Sequence, residues 1–259
     1  MRIAFLCDDE PFHIPGTVYS VMEARPDHDY TVISVPGHGS FSKLGTNFKR
    51  YLGLYGPLGF PLRAIQFLGL KLAAAIHLPT PRPHSLRQTA ARSSVRYLTL
   101  QSINSKSGRK ILRELEPDVF FSIACPQILK SRTLDIPRLG VYNIHTSLLP
   151  ENRGMLPSFW TLYEDRGKTG VTLHRMNEQL DAGPILLQKP IPARISDTSL
   201  HQLIARGKET AAELLIRAVD IMESGEIELL PNDPEKATTN TFPQRRDVME
   251  FRRRGGRIW

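Results

Sequence analysis

The chain opens on a short apolar run, Ile3-Ala4-Phe5-Leu6-Cys7, which stops at three acids, Asp8-Asp9-Glu10. An apolar run this brief, followed by acids and two prolines, reads as a buried strand and then a loop. A helix is predicted from about Thr17 to Ala24 and a second strand from Tyr30 to Val35. Strand, helix and strand at this spacing form a βαβ unit, which requires a parallel sheet with helices packed on it. The alternation resumes with a strand over Val95–Leu100 and a helix capped by Ser105 and running to Leu115. Further strands follow over 118–123, 139–145, 171–176 and 185–191, then a long amphipathic helix over Leu200–Met222. The expected fold is α/β, a Rossmann-like, mostly parallel sheet flanked by helices. The turn after the first strand lacks a G-x-G-x-x-G fingerprint, and its three carboxylates would repel a pyrophosphate, so dinucleotide binding there is excluded.

Residues 42–92 break this rhythm. Leucines, isoleucines and phenylalanines crowd the stretch, interrupted by Lys49, Arg50, Arg63, Lys71, Pro57 and Pro61. The pattern predicts a helical insertion of two amphipathic helices broken near Gly56-Pro57, with 79–94 as a Pro-, Arg- and Ser-rich loop. No uninterrupted apolar run approaches the ~20 residues of a membrane span, so no integral span is expected. Cations among leucines and phenylalanines are also the composition of an interfacial helix, which leaves dimerisation or membrane contact open beside simple packing. The expected organisation is a body over 1–223 and a basic segment over 224–259. Residues 244–259 hold six arginines against Asp247 and Glu250, enough to attract an anionic ligand unless Phe251 and Trp259 dock them on the body. Two distant cysteines, Cys7 and Cys125, and the absence of a signal-peptide pattern point to a reducing, cytoplasmic setting.

The most informative stretch is Gly140-Val141-Tyr142-Asn143-Ile144-His145-Thr146-Ser147-Leu148-Leu149-Pro150, followed by Arg153-Gly154. Asn143 and His145 alternate on one face at the end of a strand, and open α/β sheets bind ligands outside the carboxyl ends of strands. An amide donor and an imidazole would then converge in a cleft, where they can hold a carbonyl oxygen as it gains negative charge.

With the block Thr169-Gly170-Val171-Thr172-Leu173-His174-Arg175-Met176 and the loop Glu178-Gln179-Leu180-Asp181-Ala182-Gly183-Pro184, this stretch resembles the folate-dependent formyltransferases. A third block, Pro126-Gln127-Ile128-Leu129, sits where that family places a folate-pocket loop. The resemblance covers about 95–192 closely, extends plausibly to 1–35 and is absent over 42–92. It implies 10-formyltetrahydrofolate as formyl donor and a primary amine as acceptor. It implies Asn143, His145 and Asp181 as the catalytic set: Asn143 and His145 hold the oxyanion, and Asp181 takes a proton and tunes His145. It implies folate contacts from Gln127, Ile128, Leu129, Val141, Asn177, Leu180 and Asp181, and no metal.

The acceptor is reached by exclusion. Only a short segment follows the helix ending near Met222, whereas methionyl-tRNA formyltransferases carry a second domain, so tRNA is the less favoured acceptor. Asp8-Asp9-Glu10-Pro11 departs from the phosphate-binding turn of glycinamide ribonucleotide formyltransferases. A nucleotide-linked amino sugar or similar phosphorylated small amine is the expected acceptor, and a homodimer is open. A non-catalytic folate-binding scaffold on the same fold is the alternative from another class. His174 and Arg153 are each left between a ligand contact and a structural role.

Overall fold

In the computed structural model, which describes residues 1–37 and 41–259 with the side chains of 41–47 set aside, seven strands form one central sheet. In chain order the elements are β1 (Arg2–Cys7), α1 (Ile14–Ala24), β2 (Asp29–Ser34), α2 (Phe41–Ala75), α3 (Leu86–Arg92), β3 (Arg96–Thr99), α4 (Lys106–Glu114) and β4 (Val119–Ile123). They continue with α5 (Ser131–Leu134), β5 (Val141–His145), β6 (Arg153–Gly154), α6 (Pro157–Glu164), β7 (Lys168–Arg175), β8 (Ile185–Pro192), α7 (Leu200–Ser224), β9 (Thr239–Asn240) and α8 (Arg245–Arg253).

The sheet order is β3-β2-β1-β4-β5-β7-β8. The first five strands are parallel; at one edge β7 runs antiparallel to β5, and β8 runs antiparallel to β7. The expected mostly parallel, helix-flanked sheet is therefore present. β1 lies at the centre because Ile3 to Cys7 are all buried, so both faces need cover. One face, with Phe5, Val32, Phe121 and Tyr142, packs against residues of α1 and α7; the other, with Leu6, Ile33 and Phe120, packs against Leu112 of α4 and against Ile103 just before it. The direction of chain progression reverses between β1 and β4, which places a crevice at their carboxyl ends.

Helix starts follow their caps. Ser105 accepts from the Gly108 N–H, and Ser199 forms a capping box with Gln202 at the start of α7. α1 begins at Ile14, earlier than the expected Thr17. Pro15 sits in its first turn, and the Glu10 carboxylate accepts from the N–H groups of Phe12, His13 and Ile14.

Two expectations need correction. The segment 79–94 is not all loop: α3 lies inside it, capped by Ser85, with Leu86 and Ala90 buried against the sheet side that carries α1. Arginine and serine dominate the local composition, but two buried apolar positions at helical spacing decide the structure. The expected insertion begins at 42, among the residues whose side chains are set aside; beyond them α2 breaks at Gly56, as expected, with φ +78° and ψ 176°. The second concerns length and composition: Phe48–Ala75 is long and apolar enough to cross a membrane, with a mean hydropathy of 1.2 over its most apolar window, of which 6% is buried. Prolines, Arg63 and Lys71 interrupt the run without lowering its average enough.

The C-terminal segment is folded onto the body. Phe251 of α8 is fully buried, with its ring 5.0 Å from that of Phe159, and Val248 and Ile258 join the same core. Arg252 donates to the carbonyl oxygens of Leu54 and Tyr55, which ties α8 to α2.

Candidate active site

Asn143 and His145 stand at the carboxyl end of β5, beside the crevice. Because β7 runs antiparallel next to β5, its register sets His174 opposite Asn143. The β7–β8 connection then brings Asp181 against both histidines. Asp181 Oδ2 lies 3.6 Å from His145 Nδ1, and Asp181 Oδ1 lies 3.6 Å from His174 Nε2. Asp181 adopts a left-handed backbone, φ +49°, and Oδ2 accepts from the Gly154 N–H at 2.9 Å. Gly154 itself has φ +97°, and a Cβ there would strike the Asn240 carbonyl. A side chain at this position would push apart the β6–β9 pair that presents the N–H.

The partners assign the protons. His145 Nε2 is 2.8 Å from the Asn152 carbonyl oxygen, which only accepts, so Nε2 carries the hydrogen. In the neutral ring the Nδ1 lone pair therefore faces Asp181. His174 Nδ1 likewise donates to the Arg175 carbonyl, leaving Nε2 to accept from Asn143 Nδ2 at 3.3 Å. At 3.6 Å the carboxylate contacts are longer than hydrogen bonds, and they become charge-assisted when either ring is protonated.

Burial pushes the Asp181 carboxyl upward, but His174, His145 and the Gly154 N–H outweigh it and hold the group at about 2. Burial holds the His145 imidazole below its ordinary 6.5, and Asp181 offsets this only in part. Near neutral pH the pair is thus a fixed carboxylate beside a neutral imidazole with one free nitrogen. His174 is buried in this network and is a member of it. Burial pushes the Cys125 thiol up to about 11, away from thiolate chemistry.

The loops over the crevice place the remaining predicted residues. Gln127 is buried: it accepts from the Ile103 N–H and donates to the carbonyls of Pro36 and Gln101, so its side chain ties loops together. Ile128 and Leu180 are 75% and 58% exposed on two separate loops. Those loops are joined where the Ser131 N–H donates to Glu178. Leu129 and Val141 are buried beneath, and Asn177 braces its own loop by accepting from the Gln179 N–H. Two exposed apolar side chains on tethered loops beside buried polar groups suit a flat, partly polar ring system.

Sequence reasoning passed over Asn232. Its amide donates to the carbonyls of Asp181 and Gly183, both at 2.9 Å, and its Oδ1 accepts from Arg153 Nη2 at 2.8 Å. Arg153 is buried and anchors the loop. The segment around Thr238 and Asn240 holds Asn152 through two more hydrogen bonds. The C-terminal segment thereby fixes the loop that bonds both His145 and Asp181. No local signal in the sequence links Asn232 to a motif so far away. Lys208 of α7 was also passed over; burial lowers its pKa, and the charges of Glu10 and Cys7 oppose this. The acidic turn is structural in part: Asp9 accepts from the Leu86 N–H and pairs with Lys71.

The family model described as formyl transferase matches residues 81–219. A methionyl-tRNA formyltransferase of Thermotoga maritima is 37% identical over 171 residues, which is 66% of this chain and 53% of the relative. The chain spans about half the length of the curated relatives it matches. A sugar N-formyltransferase from a Shewanella species superposes with a TM-score of 0.60 at 18% identity, over 93% of this chain and 76% of that one. An N-formyltransferase from Helicobacter canadensis, solved with folinic acid and dTDP-3-aminofucose, gives 0.61 at 16% identity over 92% and 70%. At these identities the solved structures speak to the fold.

Proposed function

The chain belongs to the formyl transferase family, and on that premise we propose that it transfers a formyl group from 10-formyltetrahydrofolate to a primary amine. The observation that carries this reading is the convergence of Asn143, His145, His174 and Asp181 at the carboxyl end of β5. Ile128, Leu129, Leu180 and the Asn177–Asp181 loop would hold the folate. That group supplies the formyl carbon as electrophile. Asn143, oriented by His174, donates an amide N–H to the carbonyl oxygen as negative charge builds on it. His145 Nδ1 is the better proton acceptor, because a carboxyl held at about 2 is a weak base. Once protonated, His145 becomes a donor, and Asp181 stabilises the imidazolium. This revises the expected roles: Asp181 acts as a fixed countercharge rather than the base itself.

For the acceptor we propose an amino sugar carried on a nucleotide. The solved sugar N-formyltransferases share the fold over 93% and 92% of the chain. Methionyl-tRNA is the second reading, favoured by the 37% identity of the Thermotoga maritima relative. The test is incubation of the purified protein with 10-formyltetrahydrofolate and either a panel of nucleotide-linked amino sugars or methionyl-tRNA. Tetrahydrofolate release is followed by chromatography. Formylation of a sugar amine is expected; formylation of methionyl-tRNA alone would overturn the choice of acceptor, and no transfer to any amine would overturn the reaction.

A further inference from the structure

Helix α2 is built the wrong way round for a soluble protein. From Leu58 onward one stripe at helical spacing faces solvent: Leu58, Leu62, Ile65, Leu68, Leu72 and Ile76 are 51–89% exposed. Between Tyr51 and His77 the only charged residues are Arg63 and Lys71, and both turn toward the body. Arg63 lies over the Phe12 ring, 3.2 Å from its centroid, and Lys71 bonds the Asp9 carboxylate at 2.7 Å. Six large aliphatic side chains left in water far exceed the scattered apolar exposure of an ordinary surface, and such a patch marks an interaction site.

The helix lies flat rather than threading through a bilayer. It is preceded by β2 and followed by α3, which packs beside β2 in the same body. Along its length it is fastened by buried Leu54, by Arg63 on Phe12 and by Lys71 on Asp9. A segment tied down at both ends and along one side presents its other side to whatever covers it.

Charge selects the occupant. Where the first half of α2 meets α8, a groove of about 840 Å³ is lined by Lys49, Arg50, Arg245 and Arg252, with Phe242 and Met249 between them, and no acid lines it. Pro57 lines the same groove, and Leu58, the next residue, begins the leucine stripe. The exposed aromatics Tyr51 and Trp259 stand beside it, both 44% exposed. A second copy docked symmetrically through this face would set one cationic rim against another. An anionic lipid surface accepts the leucines in its acyl boundary and the cations among its headgroups.

We propose that the outer face of α2, with the basic groove at its junction with α8, is a membrane-docking surface that seats the protein on an anionic bilayer. The proposal stands independently of the reaction assigned above. The test is co-sedimentation of the full chain with phosphatidylcholine vesicles, with and without phosphatidylglycerol. Binding to the anionic vesicles is expected, weakening as salt is raised. The triple variant Leu62→Glu, Ile65→Glu, Leu72→Glu should partition roughly tenfold or more weaker, since apolar burial at the interface is lost. Its melting temperature should not fall, because all three side chains already face solvent. The variant Lys49→Gln, Arg50→Gln, Arg245→Gln should bind less and lose most of its salt dependence. Wild-type protein left in the supernatant with anionic vesicles, or a triple-Glu variant that binds as well as wild type, would overturn the proposal. So would a dimer in light scattering that the triple-Glu variant dissolves, with no vesicle binding by either protein.

Discussion

Replacing Asp181 with asparagine removes the carboxylate charge while preserving shape and the acceptor for the Gly154 N–H. The carboxyl is held at about 2 against an ordinary 3.8, which corresponds to about 2 kcal/mol of preferential interaction with the ionised form. The side chain is only 10% exposed, so solvent screening takes little of this away. Loss of that charge should lower the melting temperature by about 4–8 °C for a chain of this size. Because the folded value lies below the unfolded one, the contribution is complete above about pH 4 and disappears as pH falls through 3.8 toward about 2. The stability difference between wild type and variant should therefore be flat above pH 6.5, where His145 is neutral, widen as His145 takes its proton, and narrow again in strong acid. The larger effect is on chemistry. Without a countercharge His145 is a poorer proton acceptor, and turnover should fall by about 10²-fold or more, near 3 kcal/mol. Formyl-donor binding, measured by equilibrium titration with a folate analogue, should be nearly unchanged. Near-normal turnover in Asp181→Asn, with donor and acceptor both saturating, would refute the role given to this group.

Other perturbations probe the rest of the site and its supports. Asn232→Ala deletes two donors and one acceptor that position Asp181, Gly183 and Arg153, so it should cost about 2–4 kcal/mol in denaturant unfolding. It should also reduce turnover, although Asn232 bonds backbone and Arg153 rather than either imidazole. The pH profile should show an acid limb below pH 6.5, because burial keeps His145 neutral above that value and protonation removes its free nitrogen. For the same reason stability should rise with pH up to 6.5 and be flat above it, as followed by melting temperature across a buffer series. Phe251→Ala should destabilise by about 3–5 kcal/mol, since its ring is fully buried against Phe159. A deletion of 244–259 should accordingly lower the melting temperature; an unchanged value would mean that α8 contributes nothing to the core.

Periodicity alone carried most of the fold. Runs such as Ile3–Cys7 and Val119–Ile123 are almost wholly apolar, so they were legible as strands without reference to anything distant, and the structure buries them on both faces at the middle of the sheet. The pair Asn143 and His145 was legible for a similar reason, since alternation along one strand fixes which side chains share a face. What stayed hidden depends on contacts between residues far apart in the chain. α3 was obscured by its polar composition and exists because Leu86 and Ala90 reach the core. The direction of α2 could not be read from its sequence: the pattern gives an amphipathic helix, but only the partners Phe12 and Asp9 show that its charges turn inward and its leucines out. Asn232 carries no local motif, and its importance comes from three bonds to Asp181, Gly183 and Arg153, residues about fifty or more positions earlier in the chain. Sequence dictates what each segment prefers alone. Tertiary structure decides the rest because a buried polar group is stable only where a partner closes its hydrogen bonds, and that partner can come from any part of the chain.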